Sequence, residues 1–286
     1  MSRDLSPYLL PDCNVQIAFS GGRTSAYMLH QILEANGDLP DRVVVSFQNT
    51  GREMPETLDF VQECSERWGV HVVWLEYRNE EPRFEIVSHN SASRNGEPFE
   101  AIIRRRGFLP NRVNRFCSIE MKVHTARRYL VDLGWQEWTN ATGIRADEKG
   151  RIRDESVKVK GTRHWPWQPL AKAGIQKSDI SEFWHRQPFD LRLPNYKGKC
   201  WLGNCDGCFL KSEANQTALA REYPERHAWW ERMEREALKT AKDLSGARFR
   251  DEYRKKELRE FMEAQGDWIL DDEGVLCQAD GGECVP

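Results

Sequence analysis

Asn14-Val15-Gln16-Ile17-Ala18-Phe19-Ser20-Gly21-Gly22-Arg23-Thr24-Ser25-Ala26-Tyr27-Met28-Leu29 is the stretch on which the fold turns. Residues 14 to 19 tend toward a continuous apolar run, and Ser20-Gly21-Gly22 breaks it. Tyr27, Met28, Leu29, Ile32 and Leu33 then recur at helical spacing, so the segment predicts strand, loop and helix in that order. Two glycines let a backbone approach a ligand closely, hydroxyls stand on both sides, and the positive end of a helix dipole lies behind. Such a loop is an anion site in outline, although Gly-Gly also serves in plain turns.

Working outward, Val43-Val44-Val45-Ser46-Phe47 has the β-branched density of a buried parallel strand. Residues 57–68 predict a helix with Leu58, Val61 and Cys64 inward, and Val70-His71-Val72-Val73-Trp74-Leu75 a third strand. Strands alternating with helices predict an α/β fold: a doubly wound parallel sheet, Rossmann-like, with right-handed crossovers. From Arg78 to Arg115 the periodicity fades into a polar, basic insertion; a helix around residues 122–133 and a strand at Trp138-Thr139-Asn140-Ala141-Thr142 follow. After Lys211 the chain reads as a charged helical extension, with Trp229, Trp230, Met233, Ala237 and Leu238 as its packing stripe and a Gly-rich, acidic tail from Gly274. The expected division is therefore a nucleotide-binding domain over 1–212 and a helical extension with a mobile tail over 213–286.

The composition is that of an ordinary soluble chain: 286 residues, 30% charged, 39% apolar, formal net charge −3. No stretch approaches the roughly 20 apolar residues needed to cross a bilayer, and residues 1–7 lack the apolar core of a signal peptide. The expectation is a cytoplasmic protein. There the eight cysteines stay reduced, and clustered ones bind metal or do chemistry. Cys200, Cys205 and Cys208 form such a cluster, with Gly203 and Gly207 letting the chain wrap a compact centre. A set of this kind suits a [4Fe–4S] cluster or a tetrahedral zinc once a fourth thiolate is supplied. Cys13 and Cys64 read as packing residues.

The loop at Ser20 lacks the Gly-Lys-Ser/Thr ending of a Walker A sequence and the three-glycine spacing of a dinucleotide fingerprint. It resembles instead the PP-loop, Ser-Gly-Gly-x-[Asp/Thr]-Ser, of the ATP pyrophosphatase and PAPS reductase superfamily. Further segments match the PAPS reductase branch in order: Thr50-Gly51-Arg52-Glu53-Met54-Pro55-Glu56-Thr57, Cys117 with Lys122, Gly143-Ile144-Arg145-Ala146-Asp147-Glu148, and Pro169-Leu170 with Asp179 and Phe183. The resemblance covers residues 14 to 212.

The resemblance implies that Ser20, Gly21, Gly22, Arg23, Thr24 and Ser25, with Thr50, Gly51, Gly143 and Arg145, hold an adenine nucleotide: ATP with Mg²⁺, APS or PAPS. Arg145, at a strand end, can grip phosphate bidentately, or form an ion pair with Glu148; Lys122 would neutralise phosphate. Arg23-Thr24 stands where ATP-splitting members usually have Lys-Asp, which leaves the choice of nucleotide open. Cys117 is the fourth ligand the resemblance implies, completing Cys117, Cys200, Cys205 and Cys208. Related sulfate-reducing enzymes and DNA phosphorothioation proteins carry [4Fe–4S] beside the nucleotide, which favours iron–sulfur over zinc.

Sulfate-reducing members also carry a nucleophilic cysteine in a C-terminal Glu-Cys-Gly context. Here Glu283-Cys284 is followed by Val285-Pro286, so Cys284 is either that nucleophile or a tail thiol and partner for Cys277. Arg104, Arg105, Arg106, Arg112 and Arg115 form a basic cluster that suits nucleic acid or the nucleotide's own phosphates. Three functions follow. The first is ATP-dependent adenylylation of an acceptor, releasing pyrophosphate, for sulfur transfer from a donor protein into a nucleic acid or small molecule. The second is sulfonucleotide reduction fed by a reductant protein. The third is a non-catalytic nucleotide- or nucleic-acid-binding component.

Overall fold

The computed structural model describes residues 4–196 and 199–265, with the backbone alone at 195, 196, 199, 200 and 265. A six-stranded sheet lies at its centre in the order β4-β3-β2-β1-β5-β6. The strands are β1 (Val15–Ala18), β2 (Val43–Asn49), β3 (Val72–Tyr77), β4 (Phe84–Val87), β5 (Trp138–Ala141) and β6 (His164–Trp167). All neighbours pair parallel except β3 and β4. Every residue of β2 after Val43 is buried, as an inner parallel strand requires.

The helices are α1 (Arg23–Asn36), α2 (Pro55–Trp68), α3 (Glu97–Arg106), α4 (Phe116–Ser118), α5 (Thr125–Asp132), α6 (Pro169–Lys172), α7 (Lys177–Arg186), α8 (Glu213–Glu222), α9 (Pro224–Ala237) and α10 (Lys255–Gln265). Residues 43–47 alternate between the sheet faces. Val45 and Phe47 join Tyr27 and Met28 of α1, Phe60 and Val61 of α2 and Trp184 of α7 in the main core. Val44 packs on the other face with Val73, Leu75, Trp138 and Leu130 of α5. Helices on both faces make the sheet doubly wound, as the sequence predicts. From β1 the chain builds β2 and β3 on one side and β5 and β6 on the other, so the strand order reverses between β1 and β5. Ligands bind at such a switch point, outside the carboxyl ends of the strands.

Three local expectations change. The insertion read as irregular contains β4, antiparallel to β3, and α3. Helix α3 buries Phe99, Ile102 and Ile103 but ends on three exposed arginines, which mask its apolar face in the sequence. Strand β6 carries Pro166, which hides it in the sequence; at a sheet edge a missing N–H is tolerated. In the packing stripe of α9, Trp229, Trp230, Met233 and Ala237 are buried but Leu238 is exposed, since the helix ends at Ala237.

The segment after 212 packs into the same core as the sheet. Trp230 meets Phe99 edge-on at 5.5 Å and Phe249 at 4.8 Å. Among the described residues no helix is long and apolar enough to cross a membrane.

Candidate functional site

The Ser20–Ser25 loop links β1 to α1 at the switch point. Gly21 sits at φ +78°, and a Cβ there would lie 2.8 Å from Thr57 Cγ2 and 3.0 Å from Val61 Cγ2, so α2 presses directly on the loop backbone. The Ser25 hydroxyl donates to the Gly22 carbonyl (3.0 Å) and accepts from the Ser20 N–H (3.2 Å). With that proton committed, the Ser20 hydroxyl is the donor of the 2.9 Å Ser20–Ser25 bond. No side chain caps α1, whose first turn carries no acid, so its N–H groups and dipole face the crevice.

Arg145, four residues beyond β5, stands across the crevice with its Nη1 3.4 Å from Thr24 Oγ1. It is buried, and its guanidinium forks onto Asp147 (2.9 and 3.2 Å) with Glu148 3.6 Å away. Gly143 is buried in the tight turn between, where the Ile144 N–H donates to the Thr142 carbonyl (2.8 Å). Arg23 departs from the group: its guanidinium is paired with Asp190 (Nε to Oδ1, 2.7 Å).

Thr50 and Gly51 lie at the carboxyl end of β2, beside the loop. The buried Glu53 carboxylate accepts from the Thr50 N–H (2.9 Å) and hydroxyl (2.7 Å). Thr50 Oγ1 is also 3.3 Å from Cys205 Sγ, which ties the nucleotide side to the cysteines. Cys117, Cys205, Cys208, Thr50 and Lys122 share the lining of one cavity of about 20 Å³. Cys117 and Lys122 get there on one continuous helical run: α4 passes through a π-helical turn, Ile119–His124, into α5. Such widened turns re-aim side chains and favour functional sites.

The side chain of Cys200, and Cys277 and Cys284 entirely, lie outside the described residues. Among the described residues no three His, Cys, Asp or Glu side chains are grouped closely enough to hold a metal ion. The donor chemistry around the cavity nevertheless suits a thiolate-held centre. Cys205 and Cys208 are buried, and the buried cations Arg52 and Lys255 act electrostatically on Cys205 and Cys208 respectively. Sulfur donors of this kind are those that iron or zinc takes.

The cysteine loop is held by residues to which the sequence assigned no role at the site. Asp206, fully buried, accepts from Arg52 Nη2 (2.6 Å), Trp230 Nε1 (2.8 Å), the Gly207 N–H (2.7 Å) and Arg226 Nε. A Cβ at Gly207 would lie 2.3 Å from Trp230 Nε1, so only glycine lets the loop approach that ring. Lys255 Nζ donates to the Gly207 carbonyl (3.1 Å), Lys211 Nζ to that of Trp201 (2.9 Å), and Gln216 Nε2 to that of Cys208. Burial lowers the pKa of both Arg52 and Lys255, opposed by Asp206 and by Glu234. Asp206 stands inside the cysteine motif and Arg52 inside the Thr50-Gly51 segment; Lys255 has no local signal at all.

The basic cluster is largely engaged. Arg104 pairs with Glu100, Arg106 with Glu120 and Arg112 with Glu252 (3.5 Å), while Arg105 donates to the Tyr77 hydroxyl (3.0 Å). Arg115 lies just before α4 and is half-buried. Cys64 is buried in α2, where burial pushes its thiol pKa far up, as befits packing. Cys13 corrects the expectation: it is exposed, ahead of β1, with Sγ 3.3 Å from Thr139 Oγ1. A wider depression of about 740 Å³ opens at the opposite ends of β2 and β3, past Val43 and Val70, and bears none of these residues.

The model of the phosphoadenosine phosphosulfate reductase domain matches residues 14–187, the stretch from β1 to the end of α7. The chain belongs to that family. A relative from Escherichia phage lambda, "Uncharacterized nin region protein ORF290", is 31% identical over 210 residues, 68% of this chain. The chain spans 66% of that relative's length. Among solved structures, phosphoadenylyl-sulfate (PAPS) reductase from Candida auris, in a phosphate complex, is similar at 16% identity and TM-score 0.39, covering 64% of this chain and 75% of that one. The U34-tRNA thiolase NcsA from Methanococcus maripaludis, with its [4Fe-4S] cluster, is similar at 16% identity and TM-score 0.34, covering 82% and 80%.

Proposed function

We propose that this member of the family performs adenine-nucleotide-dependent sulfur chemistry, activating an acceptor with ATP and replacing the activated oxygen with sulfur. The observation that carries the reading is the Thr50–Cys205 contact, which joins the end of β2, the strand beside the one that leads into the phosphate-type loop, to the cysteine cavity. Ser20, Gly21, Gly22, Thr24 and Ser25 receive the phosphates, with Mg²⁺ as counter-ion, and Arg145 and Lys122 neutralise the charge that grows on the leaving group. An acceptor oxygen attacks the α-phosphorus, the bond to pyrophosphate breaks, and a sulfide-class donor then displaces AMP from the acceptor carbon. Cys117, Cys200, Cys205 and Cys208 would hold a [4Fe–4S] group, or zinc, whose chemistry is to bind and orient sulfur. The unit after 212 supports that side through Trp230 and Lys255.

Family membership favours a second reading: reduction of a sulfonucleotide. In it the Cys284 thiolate takes the sulfonate, the adenosine phosphate leaves, and a dithiol reductant releases sulfite and restores the thiol. Full activity in Cys284→Ser would exclude this version.

The test is anaerobic purification with iron, zinc and sulfide analysis, followed by titration with ATP, APS and PAPS. Iron and sulfide lost in Cys205→Ser and Cys208→Ser, with ATP bound, is the expected result. Absence of binding by all three nucleotides would overturn both readings.

A further inference from the structure

We propose that the crossover from β5 to β6 is a docking strip for a single nucleic-acid strand, held by its phosphates and led to the nucleotide crevice. This names the acceptor class for the sulfur-transfer reading and rests on that reading only for its purpose. The crossover, residues 142–163, carries seven lysines and arginines against four acids, and Lys172 and Lys177 follow β6, in a chain whose net charge is −3. Such a local excess is the electrostatic footprint of a polyanion site.

The crossover leaves the carboxyl end of β5 and runs back alongside β6, the edge strand. The Arg153 N–H donates to Gln168 Oε1 (2.8 Å) just past one end of β6, and the Val159 N–H to the His164 carbonyl (3.2 Å) at the other. Lys149, Arg153 and Lys160 are exposed along it and form no ion pair among the described residues; neither do Lys172 and Lys177 beyond β6. Among the described residues the Arg163 guanidinium meets the neutral Gln136 side chain (3.3 Å) and no acid. Asp154 and Glu155 are turned to local donors, Asp154 to Ser156 and Glu155 to the Gln168 N–H. His164, with Arg153 and Lys158 adding to the effect of burial, is held neutral down to about pH 4.

These cations follow one strand edge rather than spreading over a face, which suits one phosphate backbone better than the two of a duplex. Apolar surface for bases lies alongside in the exposed Ile152 and Val157, while Lys158, paired with Glu137, covers the Trp165 ring at 4.8 Å. The strip also leads somewhere. Arg151 pairs with Glu148, the carboxylate that also faces Arg145 in the crevice. The arginines of α3 offer the opposite case, since Arg104 and Arg106 are already satisfied by Glu100 and Glu120.

The experiment is fluorescence anisotropy of the whole chain with labelled single-stranded DNA, single-stranded RNA, duplex DNA and poly-glutamate across a salt series. Either single strand should bind, the stronger arm identifying DNA or RNA, with log K falling against log salt at a slope of about −3, as four neutralised phosphates would give. Arg153→Gln with Lys160→Gln and Arg163→Gln should make that slope shallower by about 2, and Arg104→Gln with Arg106→Gln should leave it alone. No binding at low salt, an unchanged slope in the triple variant, preference for duplex, or equal binding of poly-glutamate would overturn the strip. ATP titration of the same samples keeps the two claims apart, because failure to bind ATP strikes the proposed function while leaving strand binding to be read independently.

Discussion

Arg52 and Asp206 bond twice, guanidinium to carboxylate at 2.6 Å and Asp206 N–H to Arg52 carbonyl at 2.9 Å, and thereby fasten the segment after β2 to the cysteine loop 154 residues away. Both side chains are buried, and Arg52 also lies over the Trp229 ring at 4.8 Å. Removing the carboxylate leaves the buried Arg52 and the half-buried Arg226 without their counter-ion. Asp206→Ala should therefore cost about 3–5 kcal/mol in urea unfolding, and Asp206→Asn, which retains the shape, should cost less in the same measurement. Unchanged stability in Asp206→Ala would contradict the clamp.

Gly21→Ala combines a left-handed backbone with a Cβ 2.8 Å from Thr57 Cγ2. The expected cost is about 1–3 kcal/mol, with nucleotide titration showing lost affinity because the loop N–H groups shift. A variant as stable and as tight-binding as the parent would show that α2 does not set the loop.

Arg145→Lys keeps the charge but not the fork that meets Asp147 and approaches Thr24. Nucleotide affinity should fall by about tenfold or more, measured calorimetrically, while the melting temperature moves little. Equal affinity would place the phosphate grip elsewhere.

His227 is buried, its Nε2–H donates to the Lys255 carbonyl (2.9 Å), and burial first, then the Lys255 charge, pull its pKa down to about 4. Between about pH 6.5 and pH 4 the unfolded chain binds a proton that the folded chain refuses. Stability therefore falls as pH drops through this window, by about 3 kcal/mol from this group. His227→Gln should flatten that part of the urea-stability profile; an unaltered slope would rule the histidine out as its source.

Local sequence determined the frame of this protein. The break at Ser20-Gly21-Gly22, the run Val43-Val44-Val45 and the helical recurrence of Tyr27, Met28 and Ile32 specify strand, loop and helix through steric preference and hydrophobic period, both of which act over a few residues. The Gly143-Ile144-Arg145 segment was legible only through the family resemblance, and the cysteine set through metal-ligand chemistry. Tertiary structure alone decided which charges are spent and which remain. Arg23 goes to Asp190 and Arg106 to Glu120, whereas Arg153 and Lys160 stay exposed to water. It likewise decided that Lys255 reaches back to the cysteine loop at Gly207. A charge acquires its partner through space, across a fold that brings distant segments together, and no spacing along the chain records that pairing.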